Sequence, residues 1–185
     1  MTKRQQDKRF RRTRAWIVQA FNELMFKRRY AELSTDTIIK RAGIGRSTFY
    51  EHFRNKDELL RHSSSWLLTV LADAVTDAGD TDRIRGVVDH LLGQKLMVLS
   101  LLAGPAAAAM TDELAKLIED RLSTRDTRDG RVLIVPVRLA SRQVAEAQVA
   151  LARGWLNDES RCSSADLATA FHRSSRGLVA SLERG

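Results

Sequence analysis

The sequence predicts an all-α protein, with a helix-turn-helix domain of three helices over residues 1–55 and a larger helical body over 56–185. Apolar residues recur every three or four positions along most of the chain, which is the period of a helix with one buried face. Only two prolines, Pro105 and Pro136, interrupt 185 residues, and proline is the residue a helix interior tolerates least. The one β-branched run, VLIVP at 132–136, has no partner strand and reads as the start of a helix.

The elements follow in order. From about Lys8 to Arg28, Phe10, Ile17, Ala20, Phe21, Leu24 and Met25 form one apolar face of a helix whose other face is arginine-rich. Ser34 is suited to cap the next helix, with Asp36 in its first turn, where a carboxylate complements the helix dipole. Gly43 ends that helix in the left-handed position glycine tolerates best. A short helix over Arg46–His52 comes next, and Asn55 with Glu58 forms a capping box for a helix from Lys56 to about Thr76. Trp66, Leu67, Val70, Leu71, Ala74 and Val75 mark its inner face. One helix is expected over 82–102 and, after Gly104-Pro105, another to Leu122. The polar run STRDTRDGR at 123–131 reads as a loop. Helices to Trp155 and from about Ala165 to Leu182 complete the chain, with residues 157–164 between them as a loop.

Charge is unevenly placed. The formal net charge is +8, yet residues 1–62 hold 16 Lys or Arg against 7 Asp or Glu, while residues 63–185 hold 15 against 16. A local excess of this kind is the footprint of a polyanion site. The single cysteine, Cys162, excludes an internal disulfide and a cysteine-based zinc site, and it fits a reducing cytoplasm. No apolar run reaches the ~18 residues of a membrane span, and the basic start lacks the apolar segment of a signal peptide.

Helix, glycine turn and short helix make a helix-turn-helix. Ile38, Ile39, Ala42, Ile44, Phe49 and Phe53 supply its small core, which leaves Arg46, Ser47, Thr48, Tyr50 and His52 facing outward. A helix fits the DNA major groove, where its first residues meet base edges. Arg46 suits a guanine edge or a phosphate; Ser47 and Thr48 donate or accept, and the threonine methyl suits a thymine methyl. Tyr50, His52 and Lys56 point to backbone phosphates, and the helix N-terminus at Lys56 offers N–H groups to one more. Double-stranded DNA is therefore the expected partner. The basic arm KRQQDKRFRRTR at 3–14 suits phosphates or a neighbouring minor groove, or is a solubilising tail.

The run LSTDTIIKRAGIGRSTFYEHFRNKDELL at 33–60 resembles the TetR family of bacterial transcriptional regulators in its glycine turn, its F-Y-x-H-F core and its following K-D-x-L. The resemblance implies DNA contacts at Thr35, Arg46, Ser47, Thr48, Tyr50, His52 and Lys56. Gly45 departs from it, standing where a capping serine or threonine is common. The resemblance further implies a body that senses a small apolar or amphipathic ligand and forms a homodimer through the last two helices. Composition assigns Val144, Ala147, Gln148, Leu151 and Trp155, with Leu167, Ala170, Phe171, Ser174 and Leu178, to that interface. Trp66, Leu91, Gln94, Met97, Met110, Leu114 and Trp155 are the expected pocket residues. A repressor released from its operator by ligand is the implied function; a ligand-independent regulator whose body serves only dimerisation is the alternative.

Enzyme motifs are not found: the sequence has no H-E-x-x-H, no G-x-S-x-G and no phosphate-cradling glycine loop, and His52, His62, His90 and His172 are scattered. No cofactor, no metal and no membrane contact are expected. A redox role for Cys162, next to Arg161, is the one chemical alternative.

Overall fold

The computed structural model describes residues 3–77, 79–130, 132–157 and 162–184. The chain divides into two compact units, Met1–Ser64 and Ser65–Gly185. Among the described residues it forms helices, and its extended pairing is an isolated bridge between Leu133 and Glu183.

The first unit holds α1 (Lys3–Met25), a 3-10 turn (Tyr30–Glu32), α2 (Thr35–Ala42), α3 (Arg46–His52) and α4 (Lys56–Ser63). α1 buries Ile17, Ala20, Phe21, Leu24 and Met25 of the face its spacing predicts, while Phe10 on that face is 44% exposed. The predicted capping is present at each point. Ser34 Oγ accepts from the Thr37 N–H at 3.1 Å, Gly43 sits at φ 65°, and Asn55 Oδ1 accepts from the Glu58 N–H at 2.8 Å. Glu58 reaches back to the Arg54 N–H at 2.7 Å rather than to that of Asn55. α4 does not run on to Thr76. It stops at Ser64 (φ −94°, ψ 1°), inside a run of three serines whose hydroxyls compete with helical backbone bonding. Ser63 Oγ donates instead to Asn22 Oδ1 on α1 at 2.6 Å. With Leu59 and Leu60 buried in its core, the first unit extends to Ser64, where the pattern placed its end at 55.

The second unit holds α5 (Ser65–Asp73), α6 (Thr81–Gly93), α7 (Lys95–Leu102), α8 (Ala106–Asp129), α9 (Val137–Leu156) and α10 (Ser164–Ser181). Three sequence expectations fail here. The single helix over 82–102 is broken at Gln94 (φ −123°, ψ 26°), directly after Gly93, a poor helix former. Residues 123–129 are helical, not loop, because Arg125 is largely covered and pairs with Glu183 at 2.9 Å, so a tertiary contact extends α8 through a polar sequence. VLIVP does not begin a helix; the Ile134 N–H donates to the Leu182 carbonyl and the Arg184 N–H to that of Val132, each at 2.8 Å. It pairs instead with residues 182–184, through the isolated bridge between Leu133 and Glu183. α7 and α8 meet at 90° around Gly104-Pro105, and no single helix among the described residues is long and apolar enough to cross a membrane.

The core of this unit is built from Leu68 and Ala72 on α5, Ile84, Val87 and Val88 on α6, Leu114, Ile118 and Leu122 on α8, Val144 on α9 and Phe171 on α10. Gln148 is the polar node within it. Its Nε2 donates to the Leu71 carbonyl at 3.0 Å and to Ser175 Oγ at 2.8 Å, tying α9 to the end of α5 and to α10. Buried groups of this kind cost about 1–3 kcal/mol each when left unpaired. Gln148→Ala is therefore expected to lower the unfolding free energy by about 2–4 kcal/mol, read as a drop in the urea midpoint at unchanged slope.

Candidate nucleic-acid interface

α3 is seven residues long, too short to hold a helical shape alone in water. Phe49, fully buried, and Phe53, 1% exposed, hold it against the first unit. Each contributes roughly 1.5–3 kcal/mol of apolar burial. With that side fixed, the opposite side is displayed. Arg46, Ser47 and Tyr50 are exposed and Thr48 is half-buried. The Tyr50 ring stands edge-on to Phe49 at 5.5 Å, so its orientation is set by the core. Thr35, at the first residue of α2, is also half-buried. Gly45 caps α3 without a side-chain bond, as its sequence departure implies.

Arg46 pairs with Asp36 across the turn at 2.7 Å, with both side chains 68% exposed. A pair that open is worth little, so the guanidinium exchanges readily to another acceptor.

Two expected DNA contacts turn inward. Lys56 is half-buried, and its Nζ donates to the carbonyls of Tyr30 at 3.1 Å and Leu33 at 2.8 Å while lying 4.5 Å from the Tyr30 ring. It closes the backbone of the 3-10 turn rather than projecting to solvent. Tyr30 Oη in turn donates to Asp57, and burial, then that acidic neighbour, push its pKa far upward. His52 is 7% exposed, with its ring 4.1 Å from that of Phe10. The outward position assigned to it from the pattern is not occupied, because the last turn of α3 rotates it onto α1. The phosphate site expected at the start of α4 is also preempted. Asp57 and Glu58 occupy that first turn and already complement its dipole.

Arg14 was not singled out by sequence. Its guanidinium lies 4.8 Å from the Phe53 ring, and its Nη2 is 3.5 Å from His62 Nδ1. The signal was available, since position 14 falls on the Phe10–Ile17–Phe21 face. Both His52 and His62 have pKa values lowered by burial first and by the Arg14 charge second, with Glu51 and Glu58 respectively opposing.

In the second unit, a cleft of about 470 Å³ is lined by Ser65, Trp66, Thr69, Val70, Arg83 and Gly86. It takes in one expected pocket residue, Trp66, which is 48% exposed and stands edge-on to His90 at 5.2 Å instead of facing inward. Gln94 Nε2 lies 3.2 Å from His90 Nε2. Leu91 and Leu114 are packed into the core, and Met97, Met110 and Trp155 lie half-buried at its edge, so the seven do not converge on one cavity. Of the expected dimer residues, Val144, Gln148, Leu167 and Phe171 are at most 2% exposed within their own chain. They build the monomer core and offer a partner nothing. Ala147, Leu151, Trp155, Ala170, Ser174 and Leu178 keep exposed surface. Cys162 is exposed; Arg161 lies outside the described residues.

A basic first unit that displays the polar edge of a rigid short helix is a helix-turn-helix domain on an all-α body. Residues 17–62 match the model of the bacterial regulatory proteins of the tetR family, so the N-terminal unit is similar to the DNA-binding domain of that family. The HTH-type dhaKLM operon transcriptional activator DhaS of Lactococcus lactis subsp. lactis (strain IL1403) is 36% identical over 69 residues, 37% of this chain and 35% of that protein. The uncharacterized HTH-type transcriptional regulator YxbF of Bacillus subtilis (strain 168) is 37% identical over 59 residues, 31% of this chain and 16% of that protein. The matched stretch thus spans about a third or less of the length of these relatives. The fold is similar to that of a TetR transcriptional regulator from Streptococcus agalactiae 2603V, with TM-score 0.58, 20% identity and coverage of 99% of this chain and 100% of that one. It is also similar to Thermus thermophilus FadR, a TetR family transcriptional repressor in complex with lauroyl-CoA, with TM-score 0.57, 21% identity and coverage of 88% and 92%. The family and these relatives are regulators rather than enzymes.

Because the fold lowers the pKa of His52 and His62, it favours their neutral forms. The stability this confers is complete above the unfolded-state value of about 6.5 and is lost as the pH falls below it. Denaturant midpoints of the full chain are expected to fall as the pH drops below about 6.5, and the double variant H52F/H62Q is expected to flatten that limb.

Proposed function

We propose that the chain is a dimeric, sequence-specific DNA-binding transcriptional regulator, acting as a repressor released from its operator by a small apolar or amphipathic ligand. The observation that carries this reading is the exposed edge of α3, where Arg46, Ser47, Thr48 and Tyr50 are held by buried Phe49 on a unit with an excess of nine positive charges. Arg46, Ser47 and Thr48, at the start of the helix, meet base edges, while Thr35 and Tyr50 meet phosphates. Lys56 and His52 act indirectly, by fixing the turn before α2 and the end of α3.

Two heads on one duplex need a two-fold pair. The surface available to a twin is what the monomer core leaves over: Ala147 and Leu151 on α9, Ala170, Ser174 and Leu178 on α10, and the half-exposed Trp155. The cleft at Trp66 and Arg83 is the place for an effector, offering an indole face, a guanidinium and the Ser65 and Thr69 hydroxyls. An effector acts only through unequal affinity for the two conformers of the dimer. The matched relative DhaS is named an activator and the structural neighbour FadR a repressor. The sign of regulation depends on where the operator lies relative to a promoter. The reading in which the body serves dimerisation alone is favoured by one observation, the burial of Leu91 and Leu114 in packed core.

Selection of bound duplexes from a random pool tests the base-reading set. Arg46→Ala and Thr48→Ala are expected to change which sequence is preferred, each by about 1–3 kcal/mol of discrimination, whereas Tyr50→Ala weakens all duplexes alike. Unchanged selection profiles in the first two would refute the assignment. For assembly, light scattering is expected to give twice the chain mass for the wild type and the single-chain mass for Leu151→Arg. A wild type of single-chain mass at micromolar concentration would contradict the dimer.

A further inference from the structure

The second and third turns of α1 carry charge that the fold does not use. Residues 8–12 hold four Lys or Arg and no Asp or Glu, a net +4. Lys8, Arg9 and Arg11 are exposed and make no ion pair among the described residues, while Arg12 lies over the exposed Trp16 ring at 4.5 Å. Lys8 and Arg12 sit one turn apart on the side opposite Arg14 and Ile17, with Arg9 and Arg11 flanking them. The first turn of α1 contains no acidic residue. Cations at a helix N-terminus oppose its dipole, and like charges three or four positions apart repel, as Lys8 does with Arg11 and Arg12. These turns therefore work against their own helix, and a polyanion would relieve both penalties at once.

Their place in the unit says where that polyanion lies. α3 has seven residues, about 10 Å of helix, and the major groove is about 12 Å wide. If its first residues meet bases, its last stands at the groove wall, where phosphates run. That last residue is His52, whose ring is 4.1 Å from Phe10 of α1. The cationic turns around and before Phe10 thus begin at the wall. A helix with side chains is about 10–12 Å across, and the minor groove is about 6 Å wide, so a helical arm cannot enter it. The minor-groove alternative for this arm is set aside by its helicity.

Resting on the DNA-binding reading above, we infer that residues 8–12 of α1 form a phosphate-docking segment that grips the duplex backbone beside the recognition helix, and that α1 is itself stabilised by that grip. It adds affinity without adding sequence information.

The test uses the full chain and its selected duplex, with the triple variant R9Q/R11Q/R12Q. Glutamine keeps helix propensity close to that of arginine, so folding is preserved. The slope of log K against log salt is expected to become shallower by about 0.9 for each phosphate that the variant arm no longer neutralises, while the selected sequence stays the same. Circular dichroism is expected to show more helix in the wild-type complex than in its separated components, and netropsin, which fills the minor groove, is expected to leave the slope unchanged. A variant that keeps the wild-type slope, or a wild-type slope that netropsin flattens, overturns the inference while leaving the recognition helix intact. A wild type with no duplex preference overturns the DNA-binding reading, and this inference with it.

Discussion

A seven-residue helix has no stability of its own in water, so the recognition element exists only because one side of it is buried. Phe49 and Phe53, with ring centroids 6.2 Å apart, supply that burial. Everything exposed on α3 is oriented by them, and Tyr50 most directly, through its edge contact with Phe49. Gly43 matters for the same reason. Its left-handed backbone turns the chain sharply enough to bring α3 onto the α2 side of the core, a conformation other residues adopt at a cost of about 1–2 kcal/mol. The surface proposed to read bases is thus a by-product of apolar packing, displayed by it and not by any polar contact of its own.

The charges divide into those that hold the unit together and those left for a partner. Lys56 is committed to two carbonyls and a ring. Arg14 is committed to Phe53 and His62, and Arg41 pairs with Glu23. Arg46 is held only by an open pair with Asp36, and Lys8, Arg9 and Arg11 are held by none among the described residues. A cation already satisfied inside the fold gives up those bonds on binding an outside anion, so in the proposed function the loosely held set carries the association energy.

Much of this was legible in the sequence, because the local signals are strong. Ser34, Gly43 and Asn55 each have side chains or backbone freedom suited to a single place at a helix end, and the bounds of α2 and α3 follow from them. The inner face of α1 follows from its period. What periodicity cannot carry is tertiary. That Lys56 turns to the 3-10 carbonyls depends on where residues 30–33 lie in space. Arg125 keeps α8 helical through an ion pair 58 positions along the chain, with Glu183. Val144, Gln148, Leu167 and Phe171 have the composition of an interface, yet a buried face toward α5 and α6 and a buried face toward a twin read alike in sequence. Trp66 misled for the opposite reason: it is large and apolar in a helical pattern, but position 66 opens a new helix after the serine break and lies outward.

The central claim is that apolar packing presents α3 as a reader of duplex sequence. The most direct measurement is the ratio of wild-type affinities for a selected duplex and for a scrambled duplex of the same composition, at physiological salt and without effector. A preference of about a thousandfold or more is expected for specific recognition. Equal affinity for the two duplexes would contradict it, since charge alone then accounts for binding.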